Sequence, residues 1–194
     1  MAIRTTIQIG DPRLKAKNVE VKDFSNPKVK KVIKDLKDTM RKHDLIGMAA
    51  PQIGENYKIF ITQPRKTKAR KLPFTDKVRV YINPKIIKFP KPQNIIYEGC
   101  GSVLNGGLFG PVKRPKEVTI VATNEKGKNF QLRCDGILAR VIQHEYDHMF
   151  GIEFTEKIDD YKKLIAREFY LKNIRNSKEQ LEASKVNILE VKDL

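Results

Sequence analysis

Residues 137–148 read Ile-Leu-Ala-Arg-Val-Ile-Gln-His-Glu-Tyr-Asp-His. Two histidines four positions apart share one face of a helix, about one turn apart. Both rings can bind one metal ion, with Glu145 beside it as a proton carrier. A charged, solvated helix face would use the same letters. Ile137, Leu138, Val141 and Ile142 argue against that, because they make this helix largely apolar and therefore buried. Buried imidazoles and carboxylates need partners. A metal centre satisfies both needs.

Working outward, Asp135 is placed to cap this helix over 136–149, and Gly151 to close it. Upstream, 117–124 and 129–134 flank Asn-Glu-Lys-Gly-Lys and predict a hairpin. Further upstream, 57–63, 78–83, 85–89 and 94–100 predict strands, the middle ones punctuated by Pro84, Pro90 and Pro92. Residues 45–56 predict a loop or irregular strand, and 64–74 an exposed basic loop. Asn26-Pro27 starts a helix whose apolar stripe is Val29, Val32, Ile33, Leu36 and Met40. A last amphipathic helix is expected from Asp159-Asp160, with Tyr161, Leu164, Ile165 and Phe169 inward. The final fifteen or so residues are expected to fray. Strands come in a run, with one helix before and two after. The expected class is therefore α+β: antiparallel β-sheets around a central metal-binding helix, with an N-terminal helix and a C-terminal helix. One catalytic domain over 1–176 and a tail over 177–194 are expected.

The 194-residue length suits one domain with a real core. No apolar stretch is long enough to span a bilayer, and the first residues lack a secretory apolar region. Two cysteines without an export signal read as reduced thiols, so a cysteine is available as a metal ligand. The net charge of +16 is spread along the chain, with basic runs over 28–42 and 65–77. It suits a ribosome-facing surface as well as a lysine-rich solvated one. No nucleic-acid-binding motif accompanies it.

Two histidines need a further protein ligand. A zinc protease would place a third histidine six residues after the second, where this chain has Phe154. Glu168 is a weaker alternative. Cys100, in Glu98-Gly99-Cys100-Gly101-Ser102, is the better candidate, since thiolate binds borderline metals well. Cys134, on a strand, reads as a core residue.

Three segments appear in order: Gly-Met-Ala-Ala-Pro-Gln-Ile-Gly (47–54), Glu-Gly-Cys-Gly-Ser (98–102) and Gln-His-Glu-Tyr-Asp-His (143–148). Together they resemble the peptide deformylase family, bacterial or organellar. The resemblance implies that Cys100, His144 and His148 hold one divalent metal ion, natively Fe2+, with Zn2+, Ni2+ or Co2+ as substitutes. It implies that Glu145 is the general base and acid, and that Gln52 and the Gly101 N–H form the oxyanion site. Ile46, Gly47, Ile137 and Val141 would lie near the methionine pocket or the peptide, with Arg114 near the peptide. The implied reaction removes the N-formyl group from the N-terminal methionine of nascent chains and releases formate. The alternative is another N-acyl or peptide substrate; a basic binding protein with a structural metal is a third reading. The implied location is the bacterial cytoplasm, or an organelle after loss of a transit peptide, with transient ribosome contact through the basic surface.

The chain departs from the family pattern at the cleft. Leu45 replaces the first glycine of the usual Gly-x-Gly, Gly101 replaces a bulky residue, and Leu104 replaces a proline in a lengthened 103–111 loop. A leucine at 101 is expected to narrow the cleft and bury more apolar surface.

Overall fold

The computed structural model describes residues 3–67, 70, 72, 75–89 and 92–194. Helix α1 (Pro27–Lys42) starts where Asn26 Oδ1 accepts from the Lys28 N–H at 2.9 Å. Its apolar stripe is buried against β1 (Gly47–Ala49) and β2 (Ile59–Thr62). Between these strands, Ala50–Ile53 form one tight helical turn, so 45–56 is both strand and turn.

Strand β3 (Arg79–Lys88) runs through Asn83-Pro84 rather than stopping there. The register slips between Ile82 and Lys85, which leaves Pro84 with no ladder donor to supply. Asn83 takes a φ of 50° and its side chain exchanges hydrogen bonds with the Val21 backbone at 2.9 and 2.8 Å. The bulge thereby ties the N-terminal segment to the sheet. The chain continues through β4 (Gln93–Gly99), β5 (Leu108–Pro115), β6 (Glu117–Thr123) and β7 (Asn129–Asp135). The basic stretch 64–74 lies partly outside the described residues.

Helix α2 (Gly136–His148) carries the histidines. Asp135 makes no side-chain cap bond, contrary to the sequence expectation. Gly136 makes the entry instead. Its φ is 61°, and a β-carbon there would stand 1.9 Å from the Lys185 carbonyl oxygen.

The C-terminal region differs most from expectation. Residues Tyr161–Lys163 form a single turn, and β8 (Ile165–Ala166) pairs with Leu108 and Phe109 of β5. The exposed edge of β5 outcompetes helix formation at this point. Helix α3 (Arg167–Phe169) follows and passes into a wide turn over Tyr170–Ile174. Tyr161 and Phe169 are exposed, and Tyr170 is the buried aromatic. The last residues do not fray: α4 (Lys178–Glu182) leads into β9 (Val186–Asp193), which pairs with β7.

The strands form two antiparallel sheets, ordered β1-β2-β3-β6-β7-β9 and β4-β5-β8. The fold is α+β, with α2 in contact with both sheets. Leu138, Ala139 and Ile142 on α2 pack into a core with Phe60, Tyr81 and Leu132. Burying each large apolar side chain contributes about 1.5–3 kcal/mol, which anchors the histidine-bearing helix. Among the described residues, no helix is long and apolar enough to cross a membrane.

Candidate active site

Strand β4 and helix α2 meet at one end of the molecule. Cys100 follows β4 directly, and His144 and His148 face it from α2. One donor atom from each of these three side chains lies within 4.8 Å of the other two. The Cys100 Sγ is 3.5 Å from His148 Nε2 and accepts from Gln52 Nε2 at 3.3 Å and the Ser102 N–H at 3.4 Å. All three candidate ligands are thus brought together. Asp147, between the histidines, faces away and pairs with Arg114 at 2.7 Å and Lys157 at 3.3 Å.

Each imidazole has a carboxylate behind it. His144 Nδ1 is 3.0 Å from Glu98 Oε2, which leaves Nε2 as its ligand atom. His148 Nδ1 is 3.5 Å from Glu153 Oε1, and both side chains are 1% exposed. Glu98 also accepts from Arg114 at 2.7 and 2.9 Å and from Arg140 at 2.9 Å. Burial alone would raise the Glu98 carboxyl, but Arg114 and His144 hold it well below the usual range.

The charges suit a cation. Burial opposes a charged Cys100, yet the imidazoles beside it bring the thiol down to about 6. Burial likewise opposes a protonated His148, yet the thiolate and Glu153 hold it up to about 10. A soft thiolate, two oriented imidazoles and no fourth protein ligand among the described residues fit a divalent ion with an open position.

A cavity of about 260 Å³ opens over Cys100. Ile46, Gly47, Ile137 and Val141 line it, as do Gln52, Gly101, His144 and Glu145. Gly47 is required by close approach: a β-carbon there would stand 2.4 Å from Val141 Cγ1 and 2.5 Å from Glu145 Oε1. Glu145 is buried, and its Oε2 has no hydrogen-bond partner among the described residues. Burial pushes its carboxyl up to about 7 against the pull of the two imidazoles. Gln52 is pinned through Oε1, which accepts from the Ala49 N–H at 2.7 Å, so its amide N–H groups point at Cys100.

Arg114 is a correction. It was expected beside the peptide, but it is buried behind His144 in the Glu98–Asp147 network and is outside the cavity lining. A buried carboxylate, Glu98, and a partly buried one, Asp147, outcompete a solvated position for its five donors. Sequence reasoning missed Arg140 and Glu153. Both had a signal: an arginine one turn before His144 on an apolar face, and a glutamate between Ile152 and Phe154, each needing a buried partner.

A family model described as polypeptide deformylase matches residues 3–164. The chain is 39% identical to a peptide deformylase of Pseudothermotoga lettingae over 87% of its length and 91% of that protein. It is 35% identical to peptide deformylase 1 of Ralstonia nicotianae, covering 84% of the chain and 90% of that protein. Among solved structures, a peptide deformylase from Synechococcus elongatus in complex with actinonin superposes with a TM-score of 0.71 at 31% identity, covering 81% of this chain and 80% of that one. The peptide deformylase of Thermotoga maritima superposes with a TM-score of 0.72 at 27% identity, covering 82% of this chain and all of the other (100%). With this agreement in sequence, fold and site, the chain belongs to the peptide deformylase family and is a metal-dependent hydrolase that removes the N-formyl group from newly made polypeptides.

Proposed function

We propose that Cys100, His144 and His148 hold the divalent ion, Fe2+ in the cell, with Zn2+, Ni2+ or Co2+ able to substitute. The observation that carries this is the convergence of three donor atoms within 4.8 Å at the floor of the cavity. When bound, the ion polarises the formyl group and lowers the pKa of a water molecule towards neutrality. Glu145 takes a proton from the attacking water and passes it to the amine nitrogen as the carbon–nitrogen bond breaks. The products are formate and a free amino terminus. Gln52 Nε2 and the Gly101 N–H donate to the oxyanion.

Ile46, Gly47, Ile137 and Val141 form the apolar wall for the methionine side chain. The end strands β1 and β4 of the two sheets both border the cavity, so an extended peptide can lie between their free edges. Residues 1–176 carry the catalytic groups, and α4 and β9 of the C-terminal segment pack onto them. The net charge of +16 favours transient contact with the ribosome, in the bacterial cytoplasm or an organelle where formylated chains emerge.

The test is formate release from formyl-Met-Ala-Ser by protein loaded with iron without oxygen. Acetyl-Met-Ala-Ser serves as the control. Turnover of the acetyl peptide alone would overturn the formyl assignment. Metal analysis of protein taken from native cells tests the iron assignment.

A further inference from the structure

The far end of the cavity is built by residues beyond the 3–164 span of the family match. Three contacts hold this wall in place. The Arg167 N–H donates to the Gly107 carbonyl at 2.9 Å. Tyr170 stacks on Phe109 with ring centroids 4.0 Å apart and planes 9° from parallel. The Gln180 side chain pairs with Tyr97 as a neighbouring strand would: its Nε2 donates to the Tyr97 carbonyl at 3.0 Å, and its Oε1 accepts from the Tyr97 N–H at 3.3 Å. The free edge of β4 is therefore closed at Tyr97.

This wall brings two arginines, Arg167 and Arg175, to the cavity, and the basic 64–74 stretch adds Arg70. Arg175 lies 5.0 Å from the centre of the Tyr170 ring. The carboxylates lining the same cavity are engaged or distant in role. Glu98 is held by Arg114 and Arg140, Glu145 faces the metal ligands, and Asp44 lies 3.8 Å from Arg65. Arg70 and Arg167 form no ion pair among the described residues, and the remaining residues carry no acidic side chain. Burial and the neighbouring Arg175 lower the Arg70 guanidinium to about 10, a cost that a bound anion would relieve.

We propose that this C-terminal wall, together with Arg70 of the 64–74 stretch, is an anion-binding subsite, in which Arg70 and Arg167, beside Arg175, receive a carboxylate of the substrate, so that the enzyme favours formyl-methionyl peptides with an acidic residue shortly after the methionine. The inference rests on the deformylase reading and adds a substrate preference to it. Guanidinium groups suit this role because each can bind both oxygens of a carboxylate.

The test measures kcat/KM for amidated formyl-methionyl tripeptides bearing glutamate, glutamine or lysine at either position after methionine. Glutamate is expected to exceed its neutral isostere by roughly tenfold at one of the two positions, with lysine below both. The double variant Arg70→Gln/Arg167→Gln should bring the glutamate-to-glutamine ratio to near one, and high salt should shrink it in the unmodified enzyme. Equal rates for glutamate and glutamine at both positions, or a preference that survives the double variant, would overturn the subsite while leaving deformylation intact. No turnover of any formyl peptide would instead sink the deformylase reading, and the subsite with it.

Discussion

Leu45 fills the space above Gly101: a β-carbon on Gly101 would stand 3.1 Å from Leu45 Cδ1 and 3.7 Å from Thr6 Cγ2. These residues come from opposite sides of the cleft, and both line the cavity. The large side chain sits on one wall and the small one on the other. A leucine at 101 therefore meets an occupied position, not an open cleft.

Gly101→Leu alone is expected to lower kcat/KM for formyl-Met peptides, since overpacking typically costs about 1–3 kcal/mol. Leu45→Gly alone should weaken binding by opening a gap. The double variant should recover most of the loss, because residues in contact are not additive. A double variant whose defect equals the sum of the two single defects would show that the pair does not share this space.

Glu145→Gln should keep the metal and lose turnover by roughly 10²–10⁴-fold, the usual worth of a positioned acid–base group. The amide preserves size in the buried pocket shaped by Gly47 and Val141, but it cannot carry the proton. Metal content and kcat measured on one preparation decide this. Near-normal kcat at full loading would remove Glu145 from the mechanism.

Gln52→Ala should lower kcat more than it changes KM, by about 3 kcal/mol, as for loss of one oxyanion donor. Its amide is held in place before substrate arrives, by the Ala49 N–H at 2.7 Å. An effect confined to KM would make Gln52 a ground-state binding residue instead.

The central helix was readable because Ile137, Leu138, Val141 and Ile142 force burial on a segment that also carries His144, Glu145 and His148. Cys100 was readable from ligand chemistry, and Cys134 from its strand. Its thiol is buried in the main core and pushed up by burial and Asp135. Residues 161–194 were not readable, because their structure is decided by distant partners. Ile165 is a strand residue only because β5 offers an edge at Phe109, and 186–193 are a strand only because β7 does. Arg114 was misplaced for the same reason: no local pattern reveals that Glu98 and Asp147 converge behind His144.

The two cysteines should respond differently to substitution. Cys100→Ala should sharply weaken metal binding, because it removes the one thiolate of the cluster. Cys134→Ala should leave metal binding unchanged and cost roughly 1 kcal/mol of core packing. Metal titration and thermal melts of both variants separate these effects. Equal metal retention by the two would move the third ligand away from Cys100.

Glu153 is 1% exposed and has His148 Nδ1 at 3.5 Å as its ion-pair partner. Burial opposes its charge, yet His148 holds the carboxyl below its usual value. A carboxylate on the far nitrogen of a metal-binding imidazole fixes the ring and its tautomer, so that Nε2 is the atom offered to the ion. Glu153→Leu should therefore weaken metal affinity by about 10–100-fold, the usual effect of losing such a partner. Glu153→Gln, which keeps an acceptor oxygen, should restore part of that loss. Thermal stability of the metal-free protein tests the competing view. Removing one partner of a buried ion pair leaves the other charge uncompensated and typically costs about 3–5 kcal/mol of stability. If Glu153→Leu changes stability but not metal affinity in a chelator competition, Glu153 is a packing residue and not a positioning one. A loss of metal affinity, partly rescued by glutamine, alongside some loss of metal-free stability from the unpaired His148, is the expected result.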